Sequence, residues 1–208
     1  DLFPEKKITE VPFPRLEFDD VMKKYGTDAP DIRKNKDDPN ELGFCFVVNF
    51  PLFVKQSEED FFHGAGKEWG PSHHMFTMPR VEDLKLLDSE PGKARAYQHD
   101  LVMNGMEVGG GSIRIHDPKI QQKIFDLIGF SETQAAEFKH MIEAFTYGVP
   151  PHGGIALGVD RLLMILMNEP SIREIIAFPK NKDARDVTMD APSKVSKEQL
   201  DELGIKTK

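Results

Sequence analysis

Asp100 and Glu107 stand on either side of Asn104-Gly105, and Glu107 opens the run Glu107-Val-Gly-Gly-Gly-Ser-Ile-Arg114. Asn-Gly between two apolar-rich stretches is the strongest short-range signal for a β-hairpin. Pairing Met103 with Met106 across that turn sets Val102 opposite Glu107 and Asp100 opposite Gly109, and strand alternation then places Asp100 and Glu107 on one face. Carboxylates that share a surface repel each other. Either they are solvated surface acids, or a divalent cation relieves the repulsion. Mg²⁺ takes one or two carboxylates and completes its shell with water and phosphate oxygens, so such a pair suits a nucleotide site. The three glycines read either as a bulged edge strand or as a side-chain-free floor against which a ligand lies flat. No Gly-Lys-Ser/Thr follows, which excludes a Walker-type phosphate loop. Arg114 is seven positions from Glu107. A regular strand would send the two to opposite faces, and a bulge within Gly109 to Gly111 would bring them together.

Two other groups of residues could do chemistry. His73 and His74 lead into Met75-Phe76-Thr77-Met78-Pro79. Adjacent histidines in a strand point to opposite faces, so at most one is expected to serve a given pocket, as a donor to a carboxylate. The spacing is not that of a metal site, because there is no His-x-x-x-His and the lone cysteine is distant. Gly153-Gly-Ile-Ala-Leu-Gly158-Val159-Asp160-Arg161 precedes an apolar helix. Asp160 reads as the helix N-cap. A cation at Arg161 would face the positive end of the helix dipole, costing about 0.3–1 kcal/mol, so an anion or an aromatic face is expected to compensate it. A polyphosphate or a purine ring would do so.

These residues need a scaffold. Leu16, Val21, Met22 and Tyr25 form a helical stripe that stops at Gly26. The polar, proline-containing stretch 27–40 reads as a solvated loop. Gly43 to Phe53 reads as a buried strand, and Gln56 to Pro71 as a surface loop. After the hairpin between Lys93 and His116, two amphipathic helices are joined near Gly129, a short strand spans Ile155 to Val159, and an apolar helix runs from Asp160 to about Met167. A short helix follows Pro170, and a weak amphipathic stretch lies near Gln199. With 208 residues, 39% hydrophobic and 30% charged, one compact domain is the expectation. A net charge of -8 argues against a general basic surface for nucleic acid, so any contact with nucleic acid is local. Cys45, the lone cysteine, lies in an apolar run and reads as a buried, inert thiol. No run of 18 apolar residues is present, and a cytoplasmic setting without a membrane span is expected.

Taken together, these residues resemble the class II aminoacyl-tRNA synthetases, whose third signature motif is matched by Gly158-Val159-Asp160-Arg161. A longer text resembles the bacterial-type aspartyl-tRNA synthetases. It comprises Ala96-x-x-x-Asp100-Leu-Val-x-Asn104-Gly105-x-Glu107-Val-Gly-Gly-Gly-Ser-x-Arg114-Ile-His116, Pro150-Pro-His-Gly153, Phe50-Pro51-Leu52-Phe53, His73-His74-x-Phe76-Thr77 and Ile176-Ala177-Phe178-Pro179-Lys180. It runs from about Phe13 to the C-terminal region. The resemblance implies an α/β (α+β) fold, an antiparallel sheet flanked by helices, with residues 1–208 forming the C-terminal portion of the catalytic domain. Between 33 and 43 it implies a short link where the family usually carries an inserted domain. It implies activation of L-aspartate by ATP with Mg²⁺, and transfer of the aspartyl group to the acceptor end of tRNA(Asp). By the same resemblance, Glu107, Gly158, Val159, Asp160 and Arg161 bind ATP, with Arg161 and Glu107 catalytic. Asp100 and Glu107 hold the metal, and His73 and Arg114 hold aspartate.

The resemblance also implies that the first two signature motifs, the anticodon-binding barrel and the homodimer interface of a longer parent lie upstream of residue 1. The 208-residue chain alone is therefore expected not to charge tRNA. Two other readings stay open at this point. One is a tRNA-independent paralogue that activates aspartate for amidation, and the other is a non-catalytic module derived from a synthetase.

Overall fold

The computed structural model describes residues 2–56 and 68–206. Along the chain these form β1 (Lys7–Ile8), β2 (Arg15–Glu17), α1 (Phe18–Tyr25), β3 (Glu41–Leu42), β4 (Phe44–Val48), β5 (Phe53–Lys55), β6 (Trp69–Pro71), α2 (Leu86–Ser89), β7 (Gln98–Met103), β8 (Met106–Ile113), α3 (Pro118–Ile128), α4 (Glu132–Glu137), α5 (Lys139–Thr146), β9 (Gly153–Leu157), α6 (Val159–Leu166) and α7 (Lys197–Glu202). The chain divides into two compact units, one ending at Leu162 and the other spanning Leu163–Lys208. The first holds a five-stranded sheet in the order β2-β4-β7-β8-β9. The β2–β4 pairing is parallel and the others are antiparallel, so the sheet is mixed at one edge. In the second unit a capping box of Ser196 and Gln199 starts α7, and Arg185 pairs with Asp190 at 2.6 Å. Among the described residues no helix is long and apolar enough to cross a membrane.

Local chemistry accounts for most element ends. α1 carries Asp19 and Asp20 in its first turn and Lys23 and Lys24 in its last, matching the helix dipole. It stops at Gly26, whose φ of 71° is one that glycine adopts freely. Pro118 opens α3 behind Asp117, whose side chain accepts from Lys119 N at 2.7 Å. The expected strand from Gly43 to Phe53 is instead two strands, because Asn49 turns the backbone to φ 59° ahead of Pro51. Of the stretch read as a loop, residues 57–67 lie outside the described residues, and Trp69–Pro71 forms β6 against β5. The second amphipathic helix is split into α4 and α5 at Phe138, and the strand and helix near residue 158 both begin earlier than expected.

Two cores anchor the sheet. Val21 of α1 packs on Cys45, Val47, Phe50 and Val102, with Phe18, Tyr25 and Ile32 around them. Cys45 is fully buried, and burial pushes its thiol up to about 11, which makes it unreactive. A larger cluster joins Leu52, Phe53, Met78, Ala96 and Ile115 to Ile124, Phe125 and Ile128 of α3. The short link after α1 is bound to itself. Asp31 and Arg33 pair at 2.7 Å, and the Glu41 carboxylate accepts from Lys34 N and Asn35 N at 2.9 and 2.8 Å. The Asn104 side chain then accepts from Gly43 N at 2.8 Å and donates to Glu41 O at 3.1 Å, tying the hairpin tip to the end of the link.

Candidate functional site

The hairpin turns at Asn104-Gly105, with φ of 52° and 83°, the double positive that a tight primed turn requires. Met103 pairs with Met106 and Val102 with Glu107, as expected. The register then shifts, so that Asp100 faces Gly110 rather than Gly109. Val108 is the extra residue, and the bulge lies just ahead of the glycine run instead of within it. A tertiary tie explains the place: the carbonyl of Val108 accepts from Gly158 N at 2.8 Å, ahead of α6. With Gly110 opposite Asp100 and Ser112 opposite Gln98, alternation puts Gln98, Asp100, Glu107, Gly110, Ser112 and Arg114 on one face.

Over Gly110 the two carboxylates converge. A Cβ built on that glycine would lie 2.9 Å from Glu107 Oε1 and 3.2 Å from Asp100 Oδ1, which bounds the separation of the two oxygens by the sum of those distances. Asp100 is only 5% exposed. Gln98, equally buried, donates to its Oδ1 at 2.9 Å, and His73 Nε2 stands 3.6 Å from its Oδ2. The His73 ring meets Phe50 edge-on at 4.9 Å. Across the strand pair from Gly110 is Ala156 of β9, and from Ser112 is Gly154, so the floor beside the carboxylates carries almost no side chain.

Arg161, in the first turn of α6, donates from Nη1 to the Glu107 carbonyl at 2.7 Å and lies 3.5 Å from Glu107 Oε2. The anion that its position at a helix start calls for is Glu107, half-exposed beside it. Because α6 begins at Val159, Asp160 sits inside the first turn and is not the residue that precedes the helix. Arg114 faces the same side of the sheet as Glu107. It is fixed through its backbone by donation to His152 O at 2.8 Å and by a bridge to Thr77. It borders a cavity of about 310 Å³ whose other walls include Phe76, Gln121, Phe145 and His152.

Sequence reasoning passed over two residues. The first is Gln98, which orients Asp100 and whose own Oε1 is buried without a hydrogen-bond partner. The second is His74. Strand alternation does not apply to this pair, because His73 lies in a bend and His74 follows it ahead of a turn, neither of them in a strand. His73 reaches Asp100, and His74 reaches Ser112 Oγ and Arg114 Nη1, both at 3.4 Å. Burial, and then the charge of Arg114, push the His74 imidazole down to about 4, so it is neutral at pH 7. The signal that could have found it is the even spacing of Ser112 and Arg114, two positions that a polar neighbour can touch together.

The donor set fits a Mg²⁺ ion that is shared with a phosphate ligand. Among the described residues no cluster of three or more His, Cys, Asp or Glu could enclose a metal. Two carboxylate oxygens over a glycine match the one or two protein ligands that Mg²⁺ takes when phosphates supply the rest.

Residues 3–182 match the family model for tRNA synthetases class II (D, K and N). The chain is 53% identical over 169 residues to the aspartate–tRNA(Asp/Asn) ligase of Rubrobacter xylanophilus, covering 81% of this chain and 27% of that protein. It is 49% identical over 172 residues to the aspartate–tRNA ligase of Clostridium tetani, covering 82% and 28%. The chain thus spans little more than a quarter of the curated relatives it matches. Among solved structures, the fold is similar to the Entamoeba histolytica asparaginyl-tRNA synthetase in complex with asparaginyl-adenylate, with a TM-score of 0.58 at 22% identity over 88% of this chain and 39% of that one. It is also similar to the aspartyl tRNA synthetase of the same organism, with a TM-score of 0.56 at 23% identity over 85% and 33%.

Proposed function

We propose that this chain, which belongs to the class II tRNA synthetases (D, K and N), supplies part of the site in which a longer protein activates L-aspartate with ATP and passes it to tRNA. The observation that carries the reading is the shared face on which Asp100, Glu107 and Arg114 meet beside Arg161. In the first step an oxygen of the aspartate α-carboxylate bonds to the α-phosphorus of ATP. The bond from that phosphorus to the bridging oxygen breaks, and pyrophosphate leaves. In the second, the oxygen of a hydroxyl at the tRNA 3′ end bonds to the aspartyl carbonyl carbon and gives up its proton, the bond from that carbon to the phosphate oxygen breaks, and AMP leaves.

Such a reaction is catalysed mainly by positioning and by neutralising phosphate charge. Arg161 brings a guanidinium to the nucleotide, held by the Glu107 carbonyl. Gly158, Val159 and Asp160 form the turn that presents it. Asp100 and Glu107 would hold Mg²⁺, which when bound offsets the charge of the phosphates. Arg114, together with His73, receives the amino acid: its fork of donors suits the side-chain carboxylate of aspartate, and among the described residues it has no ion pair of its own. The same reading makes the whole protein a cytoplasmic homodimer. The full-length protein is expected to exchange pyrophosphate into ATP only when aspartate is present, and to form aspartyl-tRNA. Exchange supported by lysine or asparagine but not aspartate would refute the substrate. Asparagine formed from ammonia without tRNA would refute the acceptor.

A further inference from the structure

Arg114 is next to a histidine where an acid would be the ordinary partner. Nδ1 of His74 receives the backbone N–H of Phe76 at 3.2 Å and faces Arg114 Nη1 at 3.4 Å. Both of those groups can only donate. Nδ1 therefore carries its lone pair, and the ring proton is on Nε2. Nε2 in turn faces two hydroxyls at 3.4 Å, Ser112 Oγ and Thr77 Oγ1, the latter also 3.3 Å from Nδ1. Ser112 is 1% exposed and Thr77 3%, so each needs a partner inside the protein. The ring is held in one tautomer by three elements: the segment between bend and turn that carries it, the end of β8 and the bridge between Thr77 and Arg114.

We propose that His74 is a positioning residue for Arg114, a neutral acceptor that aims the guanidinium while leaving its charge for the substrate. The proposal rests on the reading above, in which Arg114 takes the side-chain carboxylate of aspartate. An aspartate or glutamate in place of His74 would also orient Arg114, but it would cancel the charge that has to be met by the ligand. An imidazole that can only accept on this side provides direction without cancellation. The consequence is selectivity. Aspartate and asparagine have nearly the same shape, so discrimination between them depends on whether Arg114 presents an uncompensated positive charge.

Three substitutions in the full-length protein separate this role from a purely structural one. Aspartate and ATP KM are measured by pyrophosphate exchange, asparagine is assayed as a competing substrate, and thermal unfolding checks that each variant is folded. His74→Phe removes the acceptor and is expected to raise the aspartate KM about tenfold with the ATP KM unchanged. His74→Asn, whose side-chain oxygen can accept in place of Nδ1, restores most of that loss. His74→Asp keeps an acceptor but adds a negative charge. It is expected to be the worst of the three, with about a hundredfold loss for aspartate and a smaller preference over asparagine. Aspartate kinetics in His74→Phe and His74→Asp equal to those of the unsubstituted protein overturn the proposal, as does an equal rise in both KM values. Exchange that never depends on aspartate, in any variant or in the unsubstituted protein, overturns instead the reading of Arg114 on which it rests.

Discussion

Replacing Gly110 by alanine tests the cradle directly. The new methyl carbon would stand 2.9 Å from Glu107 Oε1 and 3.2 Å from Asp100 Oδ1, in the space the two carboxylates share. Both contacts are to the ends of side chains, and Glu107 is half-exposed and can swing away. The fold should therefore lose little, within about 1 kcal/mol, because alanine also orders the unfolded chain less expensively than glycine. Function should lose far more. Mg²⁺ needs its oxygens at about 2.0–2.1 Å, and a carbon in the cradle forces them apart. A rise of about ten- to a hundredfold in the KM for ATP at limiting Mg²⁺ is expected, roughly 1.4–2.7 kcal/mol of lost binding. Gly111→Ala provides the contrast. There the methyl would overlap the carbonyl oxygen of Gly154 and lie 2.8 Å from Gly154 C and Ile155 Cα, all backbone of β9. The β8–β9 pairing must open, at roughly 2–4 kcal/mol of stability. The assay is thermal unfolding together with pyrophosphate exchange across a Mg²⁺ series in the full-length protein. A folded Gly110→Ala protein with an unchanged Mg²⁺ and ATP dependence would refute the cradle as a cation site. A Gly111→Ala protein as stable as its parent would refute the packing argument.

Arg114→Leu should raise the aspartate KM by more than tenfold, from loss of a charge-assisted contact of about 1.5–3 kcal/mol, and leave the ATP KM near its original value; equal kinetics would make Arg114 structural. Arg161→Ala should raise the ATP KM by about tenfold or more with a smaller change for aspartate, measured in the same exchange assay. Acid should weaken the fold through His74. Its folded value lies near 4 against 6.5 in the unfolded chain, so between those pH values unfolding takes up a proton and stability falls as pH falls. The slope is at most about 1.4 kcal/mol per pH unit and smaller for a half-buried ring. Denaturant unfolding at pH 7, 6 and 5 should show part of that slope disappear in His74→Phe.

The hairpin was legible because Asn104-Gly105 leaves little choice of turn, and the glycine-alternating strand before Arg161 because few other runs combine that spacing with a helix start. What escaped was set by contacts distant in sequence. The bulge falls at Val108 because Gly158, fifty residues later in the chain, donates to its carbonyl. The strand from Gly43 breaks at Asn49, whose side chain is drawn back to the Glu17 carboxylate at 2.8 and 2.9 Å. His74 escaped because strand alternation does not hold where the chain passes from a bend at His73 into a turn.

The extra residue at Val108 constrains how this stretch of sequence can change length. Downstream of it every side chain alternates without interruption to Arg114, so with the bulge kept, inserting or deleting one residue between Gly109 and Ile113 would swing the Arg114 side chain to the back of the sheet. Losing Val108 itself is different: the ladder becomes regular and Glu107 and Arg114, now six positions apart, still face the same way. The tether to Gly158 goes with it, and so does a side chain that is only 1% exposed. Related sequences should therefore tolerate two spacings between these residues, seven with a bulge and six without, and the shorter kind should anchor its arginine helix by some other means.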